Sequence, residues 1–223
     1  MNYSSSFTYV FDNFDKLLQG LWITLQLTIA ANIIGIVFGF LLSLLAISKF
    51  RLIRWPAQLY IEFFRCTPVL LQVIWFFYCL PIIFDIYLDP VPMGVLALGL
   101  NLMAFNAEAY RSGVQAIPRE QLDACVALSL NPFQKNLYVI LPQAFRIALP
   151  VLITNGISIL QQSSLVAIVS VADLMYEGKL LATDSYRPFE TYSIVALIYL
   201  AMALPIGQMV SWIERRQERT LHS

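Results

Sequence analysis

Few side chains in this sequence can do chemistry, and they are clustered. Gln161-Gln162-Ser163-Ser164 interrupts a long apolar stretch, with Asn155 about two turns before it, and Glu108 sits near the end of another. Amides and hydroxyls exchange hydrogen bonds but carry no charge. A patch of them can hold a polar solute or join two helices. Polar groups facing lipid are costly, and a charge costs roughly 2.5–3.5 kcal/mol on insertion scales. The patch therefore has to face a water-filled cavity or a neighbouring helix. Catalytic chemistry has little to work with. The single histidine, His222, is next to the C-terminal residue, which weakens His-based metal sites, triads and acid–base schemes. Cys66, Cys79 and Cys125 form no CxxC pair and read as buried free thiols. No phosphate-cradling glycine motif is present. Gly178-Lys179 is followed by Leu180 and lacks the first glycine, so the chain is not expected to hydrolyse ATP.

These groups must be positioned by apolar elements. Of 223 residues, 59% are hydrophobic and only 13% charged, against about 25% charged in soluble domains. Fourteen basic side chains offset fourteen acidic ones and form no block, which argues against nucleic-acid binding. Charge-free runs separate Lys16 from Lys49, Arg65 from Asp85, Asp89 from Glu108, Arg146 from Asp173, and Glu190 from Glu214. A helix needs about 20 apolar residues to cross a ~30 Å core. Five transmembrane helices are expected, at about 20–48, 57–83, 91–113, 143–171 and 190–213 of one domain, 1–223. The runs lack the ten-residue alternation of barrel strands.

Basic residues set the orientation. Lys49, Arg51 and Arg54 follow the first span. Arg111, Arg119, Lys135 and Arg146 lie between the third and fourth, and Arg215, Arg216 and Arg219 follow the fifth. Basic loops face the cytoplasm, which puts the N-terminus outside and the C-terminus inside. The first run is too long for a signal-peptide core and reads as an uncleaved span. Gly35 and Gly39 form a small-xxx-small packing face. Trp22, Trp55 and Trp212 read as interface anchors, Arg65 as a snorkelling cation, and Pro150 and Pro205 as kinks.

The cytoplasmic segment at about 118–140 has its own pattern. Pro118 starts a short helix through Leu128 whose apolar side is Leu122, Cys125, Val126 and Leu128. Ser129-Leu130-Asn131 breaks it, and Asn131 caps a second helix with Pro132 at N1. This helix–turn–helix either docks on a cytosolic partner or rests on lipid headgroups.

The segment resembles the E-A-A-x3-G-x9-I-x-L-P signature of bacterial ATP-binding-cassette (ABC) importer permeases. Asp123-Ala124-Cys125 stands at E-A-A, Ser129 at the glycine, and Val139-Ile140-Leu141-Pro142 closes it. Gly20 to Leu25, Phe64 to Gln72, Glu108 to Pro118, Leu141 to Arg146, and Ser164-Leu165-Val166 with Ala172-Asp173-Leu174 resemble further motifs of the polar amino-acid (histidine/glutamate/glutamine-type) permeases, in order. The resemblance covers about residues 20 to 175.

It implies an all-α, five-span, type I importer-like subunit of the bacterial cytoplasmic membrane. The implied partners are a second permease, identical or homologous, an ATPase dimer that uses ATP and Mg, and a periplasmic or lipid-anchored solute-binding protein. No cofactor is implied on this chain. Asp123, Ala124, Cys125, Ser129 and Leu130 would couple to the ATPase, with Asp123 pairing with a basic residue there. The family commonly reads K-D-[ST]-S where Gln161, Gln162, Ser163 and Ser164 stand, which favours a solute cavity. Gln162 replaces the aspartate that would pair with a cationic side chain, so arginine or lysine is disfavoured as sole solute. Ser163, Ser164 and unwound backbone near Thr67 would hold an α-carboxylate, and Glu108 would attract an α-amino group. Gln72 is a pore-lining or a packing residue. An opine- or ectoine-like zwitterion is the alternative solute. A secondary transporter is the alternative class, without obvious inverted repeats.

Overall fold

The computed structural model describes residues 7–221, so His222 lies outside the described residues. The described residues form helices and turns. A short α1 (Thr8–Asp12) precedes α2 (Phe14–Ile47). Then come α3 (Arg51–Cys66), α4 (Val69–Phe84), α5 (Pro90–Gln115), α6 (Arg119–Ala127) and α7 (Pro132–Gln134). A π-helical stretch at 135–140 leads into α8 (Leu141–Gln162), which tightens into a 3-10 segment, Ser163–Val169. Helices α9 (Leu174–Ser185) and α10 (Pro188–Leu221) follow. α2, α5, the rod Pro132–Val169 and the stretch Pro188–Arg215 of α10 are long and apolar enough to cross a membrane.

α2 and α5 form the centre. The face of α2 turned to the core is Leu27, Ala31, Gly35, Gly39, Leu42 and Ala46, a ridge of small and branched residues. A Cβ on Gly35 would lie 2.4 Å from Leu102 Cγ, and one on Gly39 would lie 2.9 Å from Asn106 Cβ. Both glycines therefore let the backbones approach, as the small-xxx-small reading requires. Leu27, Leu98, Leu102, Ile159, Val166 and Val171 complete a core shared by α2, α5, α8 and the residues after it.

The second span departs from expectation. It is not one rod at 57–83 but α3 and α4 bent by 107°. The cause is local. Proline disfavours helical backbone in the residue before it and has no N–H to give. Thr67 and Pro68 are both extended, at ψ 143 and ψ 132.

The cytoplasmic segment keeps the expected break with two changes. Asn131 and Gln134 form a reciprocal capping box, but the helix after Asn131 is the first part of the α8 rod rather than a separate element. The wide winding at 135–140 comes just before Pro142, which lacks the N–H that a regular turn would use. Val126 and Leu128, assigned to the apolar packing side, are 68% and 73% exposed, and only Cys125 of α6 is buried. The cysteines also differ from expectation, because Cys66 is exposed and Cys79 half-buried. α8 and α10 continue through Pro150 and Pro205. α9 was not anticipated at all.

Gly35→Val is expected to lower stability by about 1–3 kcal/mol, the usual cost of overpacking. Chemical unfolding of the full chain in mixed micelles, compared with Ile29→Val on the exposed side of α2 as control, checks it.

Candidate functional site

The candidate residues fall into four groups. The first is the elbow between α3 and α4. Gln72 is buried, and its Nε2 donates to Phe64 O (2.9 Å), Thr67 O (3.1 Å) and Thr67 Oγ1 (2.7 Å). Asn101 on α5 donates to Gln72 Oε1 at 3.0 Å and to Phe64 O at 3.3 Å. These bonds satisfy carbonyls that the break frees. Thr67 and Gln72 are thus engaged with protein. Gln72 bonds the elbow's backbone and also lines a cleft there. Asn101 was missed, because an isolated amide inside an apolar run gives no spacing signal.

The second group is ionic. Glu108 accepts two bonds from Arg111, from Nε (2.9 Å) and from one terminal nitrogen (2.7 Å). Arg65 is 3.9 Å from Glu108 and 3.8 Å from Glu62, with its guanidinium 6.0 Å from the centre of the Phe105 ring. The carboxylate expected to attract an amino group is already held by two arginines, and Arg65 bridges α3 to α5.

The third group is the polar break in α8. Ser163 is fully buried and donates to Leu160 O at 2.8 Å, while Ser164 donates to Gln161 O at 2.7 Å. Gln161 is exposed, and Gln162 has a buried Oε1 with no hydrogen-bond partner among the described residues. Gln161 and Ser164 line a cleft of about 430 Å³ with Met175, Tyr192, Val195, Ala196 and Tyr199. Among the described residues no charged side chain lines it. Asn155, on the same helix, donates to Asn106 Oδ1 at 3.0 Å, leaving buried Asn106 Nδ2 unpaired. The structure brings Gln161 and Ser164 together in this cleft, and Tyr192 and Tyr199 are added to them.

Behind the cleft lies Asp173, between the expected fourth and fifth spans. It is fully buried and caps α9, accepting from Tyr176 N at 2.9 Å and from the Tyr199 hydroxyl at 3.4 Å. Thr24 of α2 accepts from the next backbone amide, Leu174 N, at 3.0 Å. Gly20 leaves room for this turn, since a Cβ there would lie 2.8 Å from Asp173 O. Burial pushes the Asp173 carboxyl up to about 6, partly offset by these hydrogen bonds.

The fourth group is the cytoplasmic turn. Ser129 takes the left-handed conformation at φ 57. Leu130 N donates to Cys125 O (3.0 Å) and Ser129 N to Val126 O (2.9 Å). These are the two bonds of a Schellman motif. Serine thus makes the turn usually given to glycine. Asp123 and Ala124 are exposed on α6, and Leu130 is half-buried.

Residues 31–219 match the family of binding-protein-dependent transport system inner membrane components, and the chain belongs to that family. It is 32% identical to the probable glutamine ABC transporter permease protein GlnM of Bacillus subtilis (strain 168), over 95% of this chain and 97% of that protein. It is 31% identical to the glutamate/aspartate import permease protein GltK of Escherichia coli O157:H7, over 96% and 99%, and 34% identical to the arginine transport system permease protein ArtQ of Bacillus subtilis (strain 168), over 93% of each. A crystal structure of an amino acid ABC transporter with histidines superposes with a TM-score of 0.89 at 33% identity, over 96% of this chain and 99% of that one. The inward-facing MetNI methionine ABC transporter shares the fold, with a TM-score of 0.76 at 19% identity over 90% and 95%.

Asp173 makes folding pH-dependent. Its raised value means the folded state holds the proton more tightly than the unfolded chain. The stability it confers is full below the ordinary carboxylate range and is lost as pH rises through about 6. Asp173→Asn, which can still cap α9, is expected to remove a fall of about 2–3 kcal/mol between pH 4 and 7. Thermal melts of both proteins across that range check it.

Proposed function

We propose that this chain is the permease subunit of an ATP-driven importer of amino acids with uncharged side chains. It sits in a bacterial cytoplasmic membrane, N-terminus outside. It pairs with a second permease, takes solute from an external binding protein, and is driven by an ATPase dimer that binds ATP and Mg. The chain itself catalyses no reaction.

The observation that carries this reading is the single rod from Pro132 to Val169. One end abuts the α6 turn with exposed Asp123, Val126 and Leu128. The other holds the polar break at Gln161 to Ser164. The two are roughly 45 Å apart at 1.5 Å per residue. Because the Schellman turn and the capping box hold both sides of Asn131, a push on α6 moves the rod instead of unwinding it. Closure of the ATPase dimer therefore favours one of two packings around the cleft, and solute from outside favours the same one.

The cleft suits the α-carboxylate and α-amino groups through hydroxyls and amides, while its lining of two tyrosines and Met175 suits an uncharged side chain. Gln162 does not line the cleft, but its buried oxygen is unpaired and would accept a bond from the ammonium once the packing around the cleft changes. A compact zwitterion of opine or ectoine type satisfies the same groups and is the alternative solute.

Asp123→Arg is expected to abolish ATP-driven uptake in vesicles containing the assembled importer while leaving helix content unchanged. Uptake at the native rate would refute the coupling role. Gln162→Ala is expected to weaken the apparent solute affinity at least fivefold with basal ATP hydrolysis unchanged. A concentration series of uptake against the twenty amino acids reads it, and an unshifted half-saturation removes Gln162 from the solute site.

A further inference from the structure

Helix α3 has three different faces. Ala57, Ile61 and Phe64 are buried, the first two beside Leu42, Ala46 and Ala107. Arg51, Arg54, Gln58, Glu62 and Arg65 recur three and four residues apart and make a polar face. Leu52, Trp55, Leu59 and Phe63 make a third, which is apolar and exposed, Leu52 at 88% and Trp55 at 64%. A bare apolar stripe with basic residues and tryptophan at one end is the pattern of a helix that faces lipid and keeps that end among the headgroups.

That stripe leads into the concave side of the elbow. There Phe63, Thr67, Leu71, Trp75 and Phe76 enclose a cleft of about 280 Å³. The polar groups at its wall, Thr67 Oγ1 and Gln72 Nε2, are bonded to each other, so the cleft offers hydrocarbon surface. At the opposite end of the stripe, Lys49, Arg51 and Arg54 are exposed and form no ion pair with the described carboxylates. All three also lie at the positive end of the α3 dipole. Among the described residues no carboxylate pairs with any of the three.

We propose that this groove binds an anionic phospholipid. The headgroup phosphate sits on Lys49, Arg51 and Arg54, and one acyl chain lies along Leu52, Trp55, Leu59 and Phe63, ending in the elbow. From Arg51 to Phe63 the helix rises about 18 Å, against roughly 15 Å for one leaflet of a 30 Å core. A chain seated there fills the inside of the bend and resists its closing. The reading rests on the cytoplasmic placement of α3 proposed above.

The full chain in nanodiscs, with Trp22→Phe and Trp212→Phe, leaves Trp55 and Trp75 as its fluorophores. Doxyl-chain phosphatidylglycerol is expected to quench them several-fold more than doxyl-chain phosphatidylcholine at low salt. Each cation changed to glutamine should lower that preference part of the way to parity, and the triple variant Lys49→Gln/Arg51→Gln/Arg54→Gln should erase it. If the triple variant fails to insert, Arg51→Gln alone decides. Equal quenching by the two lipids overturns the proposal, as does a preference that survives the substitutions. Quenching lost when two copies are forced into each disc assigns the groove to a second copy and also overturns it. Uptake is not the readout, so the lipid result and the importer reading fail independently.

Discussion

In a hydrocarbon slab every backbone N–H and C=O must find a partner within the protein, because water is not there to supply one. The fold is organised around this constraint. Most of the chain meets it with continuous helix. Where the helix stops, at Thr67-Pro68 and at Gln162-Ser163, polar side chains appear beside the break. Gln72 and Asn101 serve the freed carbonyls at the first. At the second, the serines bond back to carbonyls one turn earlier and the winding tightens to 3-10. Polar residues within the spans therefore divide into two kinds. Those at the elbow are consumed by the backbone, whereas Gln161 and Gln162 at the α8 break keep capacity to spare.

That division explains what could be read from the sequence. Charge-free runs locate spans one, three, four and five, since hydropathy over many residues averages out local detail. The small-xxx-small pair is legible because Gly35 and Gly39 leave room that only a close helix fills. Asn131 and Pro132 are legible because capping is decided within four residues. Unwound backbone near Thr67 was expected, and proline disfavours a regular helix before it, but neither the 107° bend nor the bond from Asn101, more than thirty residues away, to Phe64 O is written in the local sequence. α9 was hidden because its mixed charges resemble a solvated loop. Its burial comes from Leu174 and Leu181 packing with Leu17 and Val10, a match visible only once the helices are assembled. Gln72 and Glu108 are each bonded to protein in the structure, and residue type alone does not reveal that a neighbour has claimed a side chain.

Glu108 illustrates the point in energetic terms. A partly buried carboxylate with two arginines leaves little unsatisfied potential for a solute ammonium, which would have to displace a bidentate guanidinium bond. It costs less to leave the triad as a brace between α3 and α5. The elbow is then pinned twice, once by uncharged amides at Asn101 and once by charge at Arg65.

In the importer reading proposed above, the other half is moved from one end. Ser129 stands at φ 57, where a side chain costs roughly 1 kcal/mol relative to glycine. That strain is borne because two backbone bonds close the turn and Asn131 begins the next helix two residues later. A flexible link here would absorb any displacement of α6. A tight one passes it to a rod that ends beside Asp173 and the tyrosines of the cleft. The turn therefore has to be stiff more than it has to be comfortable, and a serine that keeps glycine's geometry meets that requirement while removing the freedom that glycine would have in the unfolded chain.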